Sequence, residues 1–181
     1  MNIKNFLKLI TAIVVCELAG IIGSVFTASA ISGWYATLQK PALNPPNWIF
    51  APVWITLYAL MGISLYLVWK NGWKVQNHIL EKKQKAWNHL SERFWTGSWQ
   101  KENVIAIFGI QILLNILWTF IFFELKFPIL AFFEILMLWV AIIYTIINFY
   151  RISKISAYLL LPYIIWVSFA AYLNYAIWVL N

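Results

Sequence analysis

An all-α integral membrane protein, a five-transmembrane-helix bundle, is the fold class this sequence predicts. Three observations predict it. Five apolar stretches are each close to the roughly 20 residues that a helix needs to cross hydrocarbon. Hydrophobic residues make up 63% of the chain and charged ones only 10%, far below the roughly one quarter usual in soluble domains. Lipid must therefore be the solvent for much of the surface. Eleven of the thirteen Lys and Arg residues also fall on one side of the predicted bundle.

The predicted spans are about 7–28, 48–69, 104–123, 127–149 and 155–179, within one membrane domain covering 1–181. Irregular backbone cannot face lipid inside the hydrocarbon, so each span is read as a helix. The connections are 19, 34, 3 and 5 residues long. The first span has a rival reading as a secretory signal, with Lys4 and Lys8 before it and Ala28-Ser29-Ala30 as the cleavage site. Its length and the interrupting Glu17 favour a retained helix.

Basic residues set the predicted orientation. Lys4 and Lys8, the second loop (Lys70 to Lys101), and Arg151 with Lys154 share a side; Lys40 and Lys126 face the other. The positive-inside rule places the amino terminus in the cytoplasm of a bacterial-type cell membrane. The net charge of +7 follows from this topology, and it does not form the clustered footprint of a nucleic-acid binder. Trp34, Tyr35, Trp48, Trp69, Trp73, Tyr150 and Trp178 lie near span ends, where amphipathic rings anchor at headgroup level.

Small residues recur every fourth position along the first span: Ala12, Cys16, Gly20, Ser24 and Ala28. Such a stripe lets a second helix approach closely. Contact within the bundle is one reading and a homodimer face the other. Glu17 and Glu134 lie within spans, where a carboxyl either faces a cavity or bonds between helices. The second loop, 70–103, is basic, and Trp87, Leu90, Phe94, Trp95 and Trp99 in it follow near-helical spacing. That pattern predicts an amphipathic helix on the membrane surface, contacting lipid.

Catalytic constellations are missing from the sequence. There is no Asp, no Gly-rich phosphate loop and no histidine within a span, and His78 and His89 lack metal-ligand spacing. The expectation is a binding or transport protein with no metal and no cofactor. Pro41, Pro45 and Pro46 stiffen the first loop, which could then serve as a lid. Trp54 and Tyr58 follow on the second span, one turn apart. Gln111, Asn115, Trp118 and Phe122 share a face of the third span. Trp166, Ala170 and Asn174 step by four on the fifth. An aromatic beside an alanine leaves a flat slot, which fits a planar apolar ligand oriented by a few amides.

Four blocks carry a resemblance. They are Trp34-Tyr35 with Leu38, Lys40-Pro41 and Pro45-Pro46; Pro52-Val53-Trp54 with Leu57-Tyr58; Asn115, Trp118 and Phe122-Phe123; and Ala157, Leu160-Leu161-Pro162-Tyr163, Trp166, Phe169-Ala170 and Leu173-Asn174. In this order they resemble the translocator protein family, also called tryptophan-rich sensory proteins or peripheral benzodiazepine receptors. The resemblance implies a five-helix bundle, commonly dimeric, whose pocket is closed by the first loop. It implies binding of porphyrins such as protoporphyrin IX at Tyr35, Trp54, Asn115, Trp118, Trp166 and Ala170, in stress or tetrapyrrole regulation. A second implied reading is light- and oxygen-dependent porphyrin degradation, with Trp54 and Trp166 in the catalytic role. A third, from the residues alone, is a small ion-coupled transporter using Glu17 or Glu134. The sequence departs from the family in its long second loop. It also lacks a Lys or Arg after Tyr175, so the sterol motif is incomplete and sterol binding is not expected.

Overall fold

The computed structural model describes the backbone of residues 2–87 and 101–181, and the side chains of 2–71 and 104–181. The part of the predicted surface helix that runs from Leu90 to Trp99 lies outside the described residues. Every regular element described is helical. Five helical segments are long and apolar enough to cross a membrane: Ile3–Ser32, Asn47–Asn71, Val104–Glu124, Pro128–Ile152 and Lys154–Leu180. The first, second and fifth extend beyond their predicted bounds at both ends, where helix continues past the apolar window, while the third gains one residue at its end and the fourth starts one residue later and ends three later.

The first span is α1 (Ile3–Ser32), and a single turn, α2 (Trp34–Thr37), follows it. The proline segment then runs without regular structure to a short 3-10 turn, Asn47–Ile49, which opens α3 (Phe50–Trp87). Pro52 sits in the first turn of α3, where a missing N–H costs least. The helix does not stop at the membrane boundary; it continues through the basic stretch to Trp87. The second connection therefore begins as an extension of the second span and not as a loop.

The third span, α4 (Lys101–Thr119), ends in a π-helical turn, Phe120–Glu124. Its wider winding shows in the bond from Leu125 N–H to the Phe120 carbonyl, 3.0 Å. Lys126 takes φ 54° to reverse the chain, and Pro128 opens α5 (Pro128–Ile152). The fifth span is broken, which corrects its reading as one continuous helix. A short α6 (Lys154–Leu159) precedes α7 (Leu161–Leu180), with Leu160 as the joint and Pro162 in the first turn of α7. Proline lacks an N–H and its ring clashes with the carbonyl four residues earlier, so the helix restarts there.

Helix α1 packs on α3 and α4, α4 on α5, and α5 on α6 and α7. The ring is closed mainly by α6 against α3, where the Ser64 hydroxyl donates to the Ser156 carbonyl at 2.8 Å. The small-residue stripe is divided between two tasks. Ala12 and Cys16 are buried, and the backbone of α1 approaches Gly62 of α3 so closely that a Cβ there would lie 2.5 Å from Ile13 Cα. Gly20, Ser24 and Ala28 instead face a cavity that is partly open between the helices.

Candidate functional site

The cavity lies between α1, α3, α4 and α7, and has a volume of about 390 Å³. Pockets for small ligands begin near 300 Å³. All six residues predicted for the pocket line it: Tyr35, Trp54, Asn115, Trp118, Trp166 and Ala170. They come from four separate segments of the chain, so only the folded bundle brings them together.

Aromatic rings make most of the wall. Trp118 stacks on Phe122 with centroids 5.3 Å apart, and Phe122 meets Phe123 edge to face at 4.9 Å. The π turn lets both phenylalanines line the chamber. Across from them Phe50 meets Trp166 at 6.1 Å, and Trp54 meets Tyr58 at 5.6 Å. Ala170, one turn beyond Trp166, leaves open the slot that the sequence pattern suggested.

A polar chain crosses the inner end. Tyr58 donates its hydroxyl to Asn115 Oδ1, and Asn115 Nδ2 donates to the Tyr163 oxygen at 3.0 Å. Sequence reasoning placed Tyr58 and Asn115 on pocket-facing helices but gave no sign of this bond between residues 57 apart. Trp118 Nε1 donates to Asn174 Oδ1 at 3.0 Å, and Asn174 Nδ2 donates to the Pro128 carbonyl at 2.8 Å. The second bond ties α7 to the start of α5. Gln111, predicted on the same face as Asn115, is fully buried without a hydrogen-bond partner among the described residues.

The two carboxyls part company. Glu134 is buried away from the cavity, with both oxygens unpartnered among the described residues. Glu17 lines the cavity beside Gly20. A hydrogen bond between helices was the alternative for each, and neither makes one among the described residues. No cluster of metal ligands occurs among the described residues.

The connection between the first two spans reaches the cavity through Tyr35 and Asn47, which line it. Pro41, Pro45 and Pro46 do not line it; they shape the backbone that carries those side chains. Tyr35 is buried, not an interfacial anchor, and its hydroxyl donates to Asn44 Oδ1 at 2.8 Å. Burial pushes its phenol above the ordinary value, partly opposed by that bond. It stays a neutral donor at physiological pH. Asn181 fastens the loop to the end of α7: it accepts from Gln39 N–H at 2.9 Å and donates to the Gln39 carbonyl at 3.0 Å.

Five apolar spans around an aromatic-walled chamber define a multi-pass α-helical membrane protein with an internal pocket. Comparison with known proteins makes that class specific. The profile of the TspO/MBR family matches residues 12–179, and the chain belongs to that family. It is 41% identical to the tryptophan-rich protein TspO of Archaeoglobus fulgidus, over 98% of this chain and 99% of that protein. Identity to the protein of the same name from Chlorobaculum tepidum is 38%, over 98% of each. The human translocator protein is 33% identical, over 87% of this chain and 80% of its own length.

Proposed function

We propose that this protein is a membrane receptor or carrier for planar apolar ligands, with porphyrins of the protoporphyrin IX type as the leading class. The observation that carries the reading is the meeting of Tyr35, Trp54, Asn115, Trp118, Trp166 and Ala170 on one cavity. Three indole rings supply large flat contact areas, and a flat conjugated ring system can lie against them by offset stacking. The cavity has few polar groups, so affinity comes from apolar burial and orientation from the amides.

The test is a titration with protoporphyrin IX in the dark, followed by tryptophan quenching in a neutral detergent. Wild type is expected to saturate. Trp54→Ala and Trp166→Ala are each expected to weaken affinity roughly tenfold, the scale of one buried aromatic contact. Unchanged affinity in both variants would overturn the assignment of this cavity.

The loop that bears Tyr35 and Asn47 acts in this reading as a lid. Asn181→Ala removes both bonds to Gln39, together worth about 1–2 kcal/mol. Bound porphyrin is expected to leave roughly fivefold faster or more, with helix content unchanged. Stopped-flow displacement measures this, and an unaltered off-rate would remove the lid role.

A further inference from the structure

The donors around the cavity are largely spent inside the protein. Tyr58, Asn115, Trp118, Asn174 and Thr119 each donate to another protein group. The hydroxyls of Ser24 and Thr27 return to carbonyls of their own helix. The indole N–H groups of Trp54 and Trp166 and the amide of Asn47 make no hydrogen bond among the described residues. Against these stands one ionisable carboxyl, Glu17, with no hydrogen bond or ion pair among the described residues. No Lys, Arg or His among the described residues lines the cavity.

We propose that Glu17 selects among planar apolar ligands for those carrying a cationic or N–H-donating nitrogen. This rests on the ligand-pocket reading above and names the chemistry the pocket prefers. A carboxyl in low-dielectric surroundings gains most from an opposite charge, and a charge-assisted hydrogen bond is about twice as strong as a neutral one. Gly20, one turn along α1, lines the same cavity and packs against the Tyr58 ring, so the wall beside Glu17 is aromatic. The same arrangement works against acidic arms. A tetrapyrrole bearing carboxylates meets no cation on the lining among the described residues, so its acid groups belong outside the cavity while its ring nitrogens face inward. Lys40 stands next to the lid, its Nζ 4.8 Å from the Tyr35 ring centroid.

Two matched probes test this in dodecyl maltoside at neutral pH. 9-Aminoacridine is a planar three-ring cation; acridine has the same rings without the amine and is neutral. Wild type is expected to bind 9-aminoacridine more tightly. Glu17→Gln is expected to weaken 9-aminoacridine roughly tenfold, the loss of one charge-assisted hydrogen bond, and to leave acridine within about twofold. Retained acridine binding shows that the variant is folded. Trp166→Ala is expected to weaken both probes. If acridine saturates but wild type shows no preference for the cation, the Glu17 assignment falls while the pocket stands. The same conclusion follows if Glu17→Gln weakens both probes equally. If neither probe saturates in wild type, the pocket reading and the Glu17 assignment both fall.

Discussion

Gly62→Ala is expected to destabilise the bundle, although alanine is a better helix former than glycine. A Cβ at Gly62 would lie 2.5 Å from Ile13 Cα, 2.9 Å from Ile13 N and 3.0 Å from the Ala12 carbonyl oxygen. All three are backbone atoms of α1, so no side chain can swing aside. The helices must separate, and overpacking of this kind costs about 1–3 kcal/mol, outweighing the helix-propensity gain of roughly 1 kcal/mol. The melting temperature in detergent is expected to fall by roughly 5 °C, and further for Gly62→Val. Gly109→Ala is the control: its Cβ would meet nothing within 4 Å, so the propensity gain stands alone and stability holds or rises. Gly62 does not line the cavity, whereas α1 contributes Glu17, Gly20 and Gly23 to it. Weaker ligand binding in Gly62→Ala would therefore report displacement of α1. Equal melting temperatures for the two alanine variants would show that the α1–α3 approach is not tight.

This contact illustrates what the sequence could convey. The stripe from Ala12 to Ala28 marked α1 as a helix that others approach closely, but spacing alone does not say which of its residues meet a backbone and which meet empty space. Both occur, and the change from one to the other comes near Gly20, which faces the Tyr58 ring. The spans were legible because apolar length is a direct consequence of bilayer thickness. Of the six residues that line the cavity, Trp54, Asn115, Trp118, Trp166 and Ala170 were legible as i, i+4 or i, i+3 steps on helix faces, whereas Tyr35 was named only by the family blocks. The break at Leu160 was not read from the sequence, because apolar length alone marks the whole of 155–179 as one span, although Pro162 stands two residues beyond the joint. The π turn at Phe120–Glu124 has no composition that distinguishes it from ordinary helix. Glu17 was recognised as needing a partner or a cavity, and only the arrangement of α1, α3 and α4 decides between them.

The Tyr58–Asn115–Tyr163 chain leads to a second large effect. Asn115 is buried, and its one side chain satisfies two buried phenols from different helices. Asn115→Leu keeps similar volume but strands both hydroxyls in an apolar interior. Each unsatisfied group costs about 1–3 kcal/mol, so a loss of roughly 2–4 kcal/mol is expected, larger than removal of either hydroxyl alone. Tyr58→Phe or Tyr163→Phe singly leaves Asn115 one partner and is expected to cost about 1 kcal/mol. The triple variant Asn115→Leu, Tyr58→Phe, Tyr163→Phe removes donors and acceptors together, and replacing all partners by apolar groups is near neutral. It is therefore expected to recover most of the stability lost in Asn115→Leu. Thermal unfolding of the five proteins, wild type included, measures the sequence of effects. Additive losses in the triple variant would show that the three side chains do not act as one hydrogen-bonded unit. Ligand binding should separate from stability in the same set. The triple variant regains its fold but presents an apolar inner wall where Asn115 and Tyr58 had been. It is expected to hold a purely apolar planar probe as wild type does, while losing discrimination among ligands that need the amide for orientation.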